Sequence, residues 1–414
     1  MRTPIVASLV HPMVRTIGEA GAQRYFGPSL SLDFINQQYS MGAVWQKPTA
    51  KSFSALVTLT RSTGGGRFNA AGVYEWVAAN QPRFDYDPLT LTPLGLLIEE
   101  QRTNLCLQSD SILTLPWIGQ TGSIESTIPS PDGTFNSTRL NYGTVAQTYQ
   151  LLTVTPGQQY TFSYFVRLGT KPSNSYAVYD HTNSAFLVAA TVNASATTAR
   201  WTRLTVTFTT PANCTQVRIY PDRNDSAGVT GTIYLWRVQL EAGAFATSPI
   251  PTATAQVTRA ADVVSVNVMA PWYRQSEGTI VVKGDLLNRN ASTKVSVDIG
   301  AGGALGTTLF IKHITSFDIA NPDTAPISVA SIANNATLGF RCALAMRRND
   351  MLLASNGALG SADTACEIPV SPTRLTLGAG GWTAAGGYLN GHLRSVAYYP
   401  RRLPNTDLQA LTAA

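Results

Sequence analysis

LLTVTPGQQYTFSYFVRLG, residues 151–169, decides the fold. An apolar run stops at the turn pair Pro156-Gly157, and an alternating run follows it. There Tyr160, Phe162, Tyr164 and Val166 point one way, and Thr161, Ser163 and Phe165 the other, because successive strand side chains take opposite faces. The unit is strand, turn, strand. Further along, ARWTRLTVTFTTP (199–211) alternates again, with Trp201, Leu204, Val206 and Phe208 as the inward set after a slip near Arg203. TQVRIYP (215–221) and GTIYLWRVQLEAG (231–243) continue the run, and Trp236, like Trp201, is read as core. Short strands at this spacing predict an antiparallel sandwich.

Working outward, residues 1–104 read as short strands joined by long loops. LSLDFI (30–35) places Leu30, Leu32 and Phe34 on one face, and SALVTLTRST (54–63) is a strand stopped by Gly64-Gly65-Gly66. Residues 251–262 lack periodicity and contain proline and threonine, as a linker or surface strap does. Beyond them strands resume in DVVSVNV (262–268), GTIVVKGDL (278–286), KVSVDIG (294–300), TLFIKHI (308–314), LGFRCALAMRR (338–348) and RLTLGAG (374–380). PNTDLQALTAA ends the chain as one short helix with Asn405 at its N-cap. The fold class is therefore all-β: two antiparallel β-sandwich or jelly-roll domains behind an irregular N-terminal region, with a short C-terminal helix. The expected divisions are 1–104, 105–250, a linker at 251–262, and 263–414.

Composition narrows the function. The 414 residues are 44% hydrophobic and only 13% charged, which excludes a disordered chain. No apolar run approaches eighteen residues, so no helical membrane insertion is expected. The start, broken by Pro4, His11 and Pro12, does not read as a secretory signal. The net charge of +6 is spread along the chain rather than gathered in a stripe, so nucleic acid is not an expected partner. Low charge also suits a buried oligomer interface.

Three stretches carry a resemblance. RFDYDPLTLTPLGLLIEEQRTNL (83–105) is similar to a stretch found in structural proteins of tailed bacteriophages. IYLWRVQLEAGAFATSPIPT (233–252), followed by VTRAADV (257–263), resembles the end of a carbohydrate-binding-module-like sandwich in the same proteins. GYLNGHLRSVAYYPRRLPNTDLQAL (387–411) resembles the last strands and helix of their concanavalin-like, laminin-G-like jelly roll. The resemblance implies a virion protein of tail-fibre, minor-tail or head-fibre type, assembled in the host cytoplasm. Residues 1–104 would attach it to other virion proteins, a homotrimer would be its assembly, and host-surface glycans its target. The alternatives are a decoration protein that stabilises the particle without binding sugar, and a polysaccharide-degrading tail enzyme.

Read physically, 83–105 is a fixed polar connector. Arg83 is expected to pair with Asp85 or Asp87, and Arg102 with Glu99 or Glu100. Catalysis is not expected. The E-x-D-x-x-E strand of concanavalin-like glucanases is missing, and the third domain holds only two glutamates, Glu277 and Glu367. No G-x-S-x-G accompanies the four histidines, and His313 and His392 read as structural. The glycine-rich runs at 300–306 and 378–387 lack the lysine of a phosphate loop. Cys106, Cys214, Cys342 and Cys366 show no metal-ligand spacing; a Cys342–Cys366 bridge is the one pairing considered, against reduced thiols. No cofactor and no metal are expected, Asp132 in DGTFNSTRL being a single carboxylate without a ligand set.

Binding suits the residues better. Sugar sites combine aromatic faces with hydrogen-bonding side chains. YAVYDHTN (176–183), read as a loop, offers Tyr179, Asp180, His181 and Asn183, and RIYPDRND (218–225) offers Tyr220, Asp222, Arg223 and Asn224. Trp382 stands at the tip of a glycine-rich loop as another contact point.

Overall fold

A computed structural model describes residues 24–119, 122–142, 147–223, 229–288, 294–300, 308–313, 316–320, 332–333, 338–380 and 387–413. Among the described residues the regular structure is β apart from two short helices, and the chain divides into two units, one of residues 61–92 and 101–261, the other of 1–60, 93–100 and 262–414.

The first unit is a sandwich of two five-stranded antiparallel sheets. One runs Trp117–Ile118, Gln147–Thr153, Gln216–Arg223, Ser175–Asp180, Ala185–Val192; the other runs Gly122–Ile124, Thr138–Tyr142, Gly231–Ala242, Gln159–Leu168, Thr202–Thr209. The alternation at 159–168 is realised: Tyr160, Phe162, Tyr164 and Val166 are all buried between the sheets. Leu204 and Phe208 join them. Trp201 does not. It lies on the opposite face beside Phe165 and Trp236, so the inward set of that strand starts after it. Trp236 is fully buried, but on that outer face.

In the second unit one sheet runs Ala358–Leu359, Leu352–Ser355, Gly339–Arg347, Glu277–Leu286, Gly391–Tyr399, Leu30–Asp33, Gln38–Met41, Thr49–Lys51. The other runs Ile332–Ala333, Ser316–Ala320, Thr308–His313, Lys294–Gly300, Arg374–Leu377, Val263–Val266, Thr58–Thr60. Helix Asn405–Thr412 buries Leu408 against Val281, Ala343, Ala345 and Ala354 on the outside of the first sheet. Its N-cap is Pro404, one residue before the expected Asn405.

The N-terminal hundred residues are not one separate region. Leu30–Asp33 and Pro93–Ile98 lie end to end along the same edge of Gly391–Tyr399, and Thr58–Thr60 pairs with Val263–Val266. Leu30, Leu32 and Phe34 are buried, so the alternating LSLDFI stretch supplies core to strands far along the chain. Within SALVTLTRST only 58–60 is strand. Residues 53–56 form a helical turn, capped by Ser52 Oγ accepting from the Ala55 amide at 3.3 Å. Gly95 has φ +109°, and a Cβ there would lie 2.3 Å from the Leu393 carbonyl oxygen, which accounts for the glycine in PLGLLI.

Nor is 251–262 a free linker. Val257–Arg259 pairs with Arg102–Asn104, and Thr252 Oγ1 donates to the Cys106 carbonyl at 2.7 Å. Asn104 is fully buried and uses both ends of its amide. It donates to the Val238 and Ile250 carbonyls (3.2 and 2.9 Å) and accepts from the Cys106 and Leu240 amides (3.0 and 3.1 Å). The Q-R-T-N-L motif is thus a clamp for backbone that no strand partner satisfies. Arg83 donates to the Gly66 carbonyl (3.1 Å) and Ser248 Oγ (2.9 Å), while Asp85 accepts from the Phe68 amide (2.7 Å) and Asp87 from those of Leu89 and Thr90 (2.8 Å each). Arg102 lies 4.7 Å from the Phe245 ring, and its charge acts on buried Glu241.

All four cysteines are free and buried, Cys342 and Cys366 included. Burial pushes the Cys342 thiol up to about 12 and Cys214 up to about 11. Because the thiolate is the reactive form, an aromatic-disulfide titration of the native protein is expected to find no fast thiol and to find all four after denaturation.

Candidate functional site

The two outer faces of the first sandwich differ. One is covered by its own chain. The hairpin Gly65–Phe68/Tyr74–Val77 lays Phe68 and Tyr74 over Phe165 and Trp236, with Tyr74–Trp236 and Phe165–Trp236 centroids each 5.4 Å apart. Tyr74 Oη donates to the Pro249 carbonyl at 2.6 Å, and Trp201 Nε1–H donates to that of Pro129 at 2.9 Å. Trp236, Phe165 and Tyr74 are thereby buried and closed to a ligand.

The other outer face carries large side chains in the open. On Gln147–Thr153, Thr148, Gln150 and Leu152 are buried, and Tyr149 and Leu151 face outward. On Gln216–Arg223, Val217 and Ile219 point in and Arg218 out. The pairing then shifts: Thr148 faces Asp222 but Gln150 faces Ile219, so the Gln216–Arg223 strand has one extra residue there. That bulge lets Tyr220 and Arg223 share the outer face while Asp222 turns inward. Across the sheet Arg218 is opposite Leu151 on one side and Tyr179 on the other, and Tyr179 is opposite Phe186.

These side chains form one layer. The Tyr149 and Tyr220 rings lie 5.2 Å apart, and Tyr179 and Phe186 meet edge-on at 5.1 Å. The Arg218 guanidinium lies 4.8 Å from the Tyr149 ring and 5.9 Å from that of Tyr179. Arg223 stands 4.4 Å from Phe186 and 5.1 Å from Tyr220. Phe186 keeps 42% of its surface exposed, so the layer is accessible at its rim.

Of the residues expected to bind, Tyr179, Tyr220 and Arg223 belong to this layer. All three sit on strands, Tyr179 included, for whose segment a loop is expected from the sequence. Tyr220 is itself almost fully buried, and contributes as a platform under Arg223. Asp222 is a correction. It lies beneath the sheet, fully buried, in an ion pair with Lys171 that Asn174 Nδ2 (2.9 Å) and the Ser175 amide (3.0 Å) complete. Burial pushes its carboxyl upward against the pull of Lys171, whose ammonium also lies 4.8 Å from the Tyr142 ring.

Asp180 is a second correction. It is buried and holds the turn after its strand, accepting from the Asn183 amide (3.0 Å) and Nδ2 (2.6 Å). Burial opposes ionisation, but the hydrogen bonds from Asn183, Cys214 and the Thr182 amide together outweigh it and hold the carboxyl below its usual range. Asn183 in turn exchanges amide hydrogen bonds with Asn213 (3.2 and 2.7 Å), and the His181 amide donates to the Gln216 carbonyl at 2.9 Å. Both residues belong to this turn rather than to the aromatic layer. Asn224 and Trp382 lie outside the described residues. Tyr149, Phe186 and Arg218 were missed, although period-two alternation in QTYQLLT and QVRIY already puts Tyr149 and Arg218 opposite the apolar set.

Among the described residues no three His, Cys, Asp or Glu side chains gather as a metal site. Asp132 accepts from the Thr134 amide (3.0 Å) and Asn136 Nδ2 (3.0 Å), and the Arg237 guanidinium lies 2.9 Å from Asp110 Oδ1 and 3.9 Å from Asp132 Oδ2.

Residues 110–224, which hold the whole layer, match the carbohydrate binding domain family. No curated protein matches the chain. Solved structures with likeness include the CBM40 of Ruminococcus gnavus IT-sialidase bound to α2,3-sialyllactose, at 16% identity over 34% of this chain and 84% of that one, TM-score 0.30. The NanB sialidase of Streptococcus pneumoniae follows at 12% identity over 36% of this chain and 26% of that one, TM-score 0.31. A leech intramolecular trans-sialidase shares 15% identity over 34% and 24% of the two chains, TM-score 0.29. The chain spans about a quarter of these two whole sialidases.

Proposed function

We propose that the protein is a glycan-binding adhesion component of a bacteriophage virion, and that the open face around Tyr149, Tyr179, Phe186, Arg218, Tyr220 and Arg223 is where it holds sugar. One observation carries this reading. The residues that match a carbohydrate binding domain put an open aromatic layer on one sheet face, while Phe165 and Trp236 on the opposite face are covered by the hairpin of residues 65–77. An aromatic surface with hydrogen-bonding groups at its edge fits a sugar ring, which has an apolar face and a hydroxyl rim.

The virion part rests on the resemblance of residues 83–105, 233–263 and 387–411 to structural proteins of tailed phages. Attachment to other virion proteins through the first hundred residues, a trimer, and location in the particle belong to the same proposal. No catalytic step is assigned.

The test is a glycan array with the full-length protein, alongside a Tyr149→Ala/Tyr179→Ala double variant whose thermal unfolding is checked first. Retention of a defined glycan set by the parent, with apparent affinity at least about tenfold weaker in the folded double variant, is expected; removing two stacked aromatic contacts costs more than one factor of ten. An empty array would overturn glycan adhesion and leave particle decoration. Cryo-electron microscopy of particles would settle that alternative by copy number.

A further inference from the structure

We infer that the glycan bound on this face carries a carboxylate, and that Arg218 is its anchor; the inference rests on reading the face as the sugar site. Arg218 sits on the middle strand of the sheet, with Tyr149 on one side and Tyr179 on the other. Its Nε is buried without a hydrogen-bond partner, and among the described residues no carboxylate pairs with its guanidinium. The five strands of the sheet contain two acidic residues, Asp180 and Asp222. Both point into the sandwich and are committed there, Asp180 to Asn183 and Asp222 to Lys171.

Among the described residues the cation is therefore partly desolvated, held by rings and without an anion. Such a group is costly to bury until a partner arrives. Its chemistry selects that partner. A guanidinium is a flat fork of donors that matches the two oxygens of a carboxylate, and stacking between tyrosines leaves it pre-organised for that geometry.

Neutral sugars fit less well. The ring faces they would stack on are shared with guanidinium groups, Arg218 over Tyr149 and Arg223 over Phe186. What the layer presents is an alternation of aromatic edges and cationic donors. A uronic acid, or another sugar acid with an equally exposed carboxylate, answers both parts at once.

The experiment compares carboxylated glycans with their carboxyl-reduced counterparts on one array, using the full-length protein at two salt concentrations. Hits concentrated among carboxylated members, with their advantage shrinking at high salt, are expected. Arg218→Gln should weaken binding to the carboxylated members by about tenfold or more, since it removes a charge-assisted hydrogen bond. Arg218→Lys, which keeps the charge but not the fork, should recover only part of it. Equal retention of both members of each pair would overturn the carboxylate inference and leave the glycan site standing. An array empty of both would overturn the two together. Unchanged carboxylate preference in folded Arg218→Gln would remove Arg218 as the anchor.

Discussion

Asp222→Ala should lower the thermal midpoint of the first sandwich by on the order of 10 °C. Removing one partner of a buried ion pair leaves the other charge uncompensated, which costs about 3–5 kcal/mol. For a unit of this size each kcal/mol is worth roughly 2–4 °C. Here the orphan would be Lys171, whose side chain is 1% exposed. The Ser175 amide would lose its acceptor as well, and Asn174 Nδ2 one of its two. Replacing both charges together, Lys171→Met with Asp222→Leu, should restore part of the midpoint, because the uncompensated ammonium is gone while the Ser175 and Asn174 donors stay without that acceptor. Differential scanning calorimetry of parent, single and double variants checks the prediction. A single variant as stable as the parent would mean that the ammonium finds water or another anion. The outcome also bears on function: Asp222 lies between the bulge residue Tyr220 and Arg223, so a real ligand role would appear in Asp222→Ala as lost binding without lost stability.

The second large effect is expected at Asn104→Leu, at about 4 kcal/mol of destabilisation. Leucine has the same branched four-atom side-chain skeleton as asparagine but makes none of its bonds. The carbonyls of Val238 and Ile250 and the amides of Cys106 and Leu240 would all lose a partner in a fully buried place. Each unsatisfied buried group costs roughly 1–3 kcal/mol, and relaxation recovers part of the sum. Asn104→Asp discriminates further. It keeps an acceptor for the two amides but places a carboxylate against the two carbonyls, so it should be destabilised too, and more at neutral than at acidic pH. Urea unfolding monitored by the tryptophans reads both variants. Destabilisation below about 1 kcal/mol in both would show that the Q-R-T-N-L segment is not the clamp described.

Much of this architecture was open to reading. Period-two alternation identified the strands of the first sandwich because each has one face in a dry core, and Tyr160, Phe162, Tyr164 and Val166 had only one way to point. What alternation does not contain is partnership. Nothing local in LSLDFI says that Leu30–Asp33 pairs with Ser395–Tyr398, so the first hundred residues looked like a region of their own. Trp236 shows a related limit: a tryptophan on a strand reads as core, and it is fully buried, yet on the outer face, where another segment folds over it.

The site was half legible. Aromatic residues near Arg and Asp drew attention to 176–183 and 218–225, and both stretches do reach the open face. The carboxylates were misread because Asp in a polar cluster looks solvated in sequence. Whether Asp222 faces in or out hangs on a single inserted residue in its strand, which only the pairing register reveals. Tyr149 and Arg218 went unnoticed because each is isolated among ordinary strand residues. Their meeting is a property of the sheet.

The most direct test of glycan binding on the open face is a crystal structure of the full-length protein with the strongest array ligand. The expected density crosses Gln147–Thr153, Gln216–Arg223 and Ser175–Asp180, covers Tyr149 and Tyr179, and brings an acceptor to within about 2.7–2.9 Å of the Arg218 guanidinium. A glycan bound on the sandwich rim or on the other unit, with that layer bare, would contradict it.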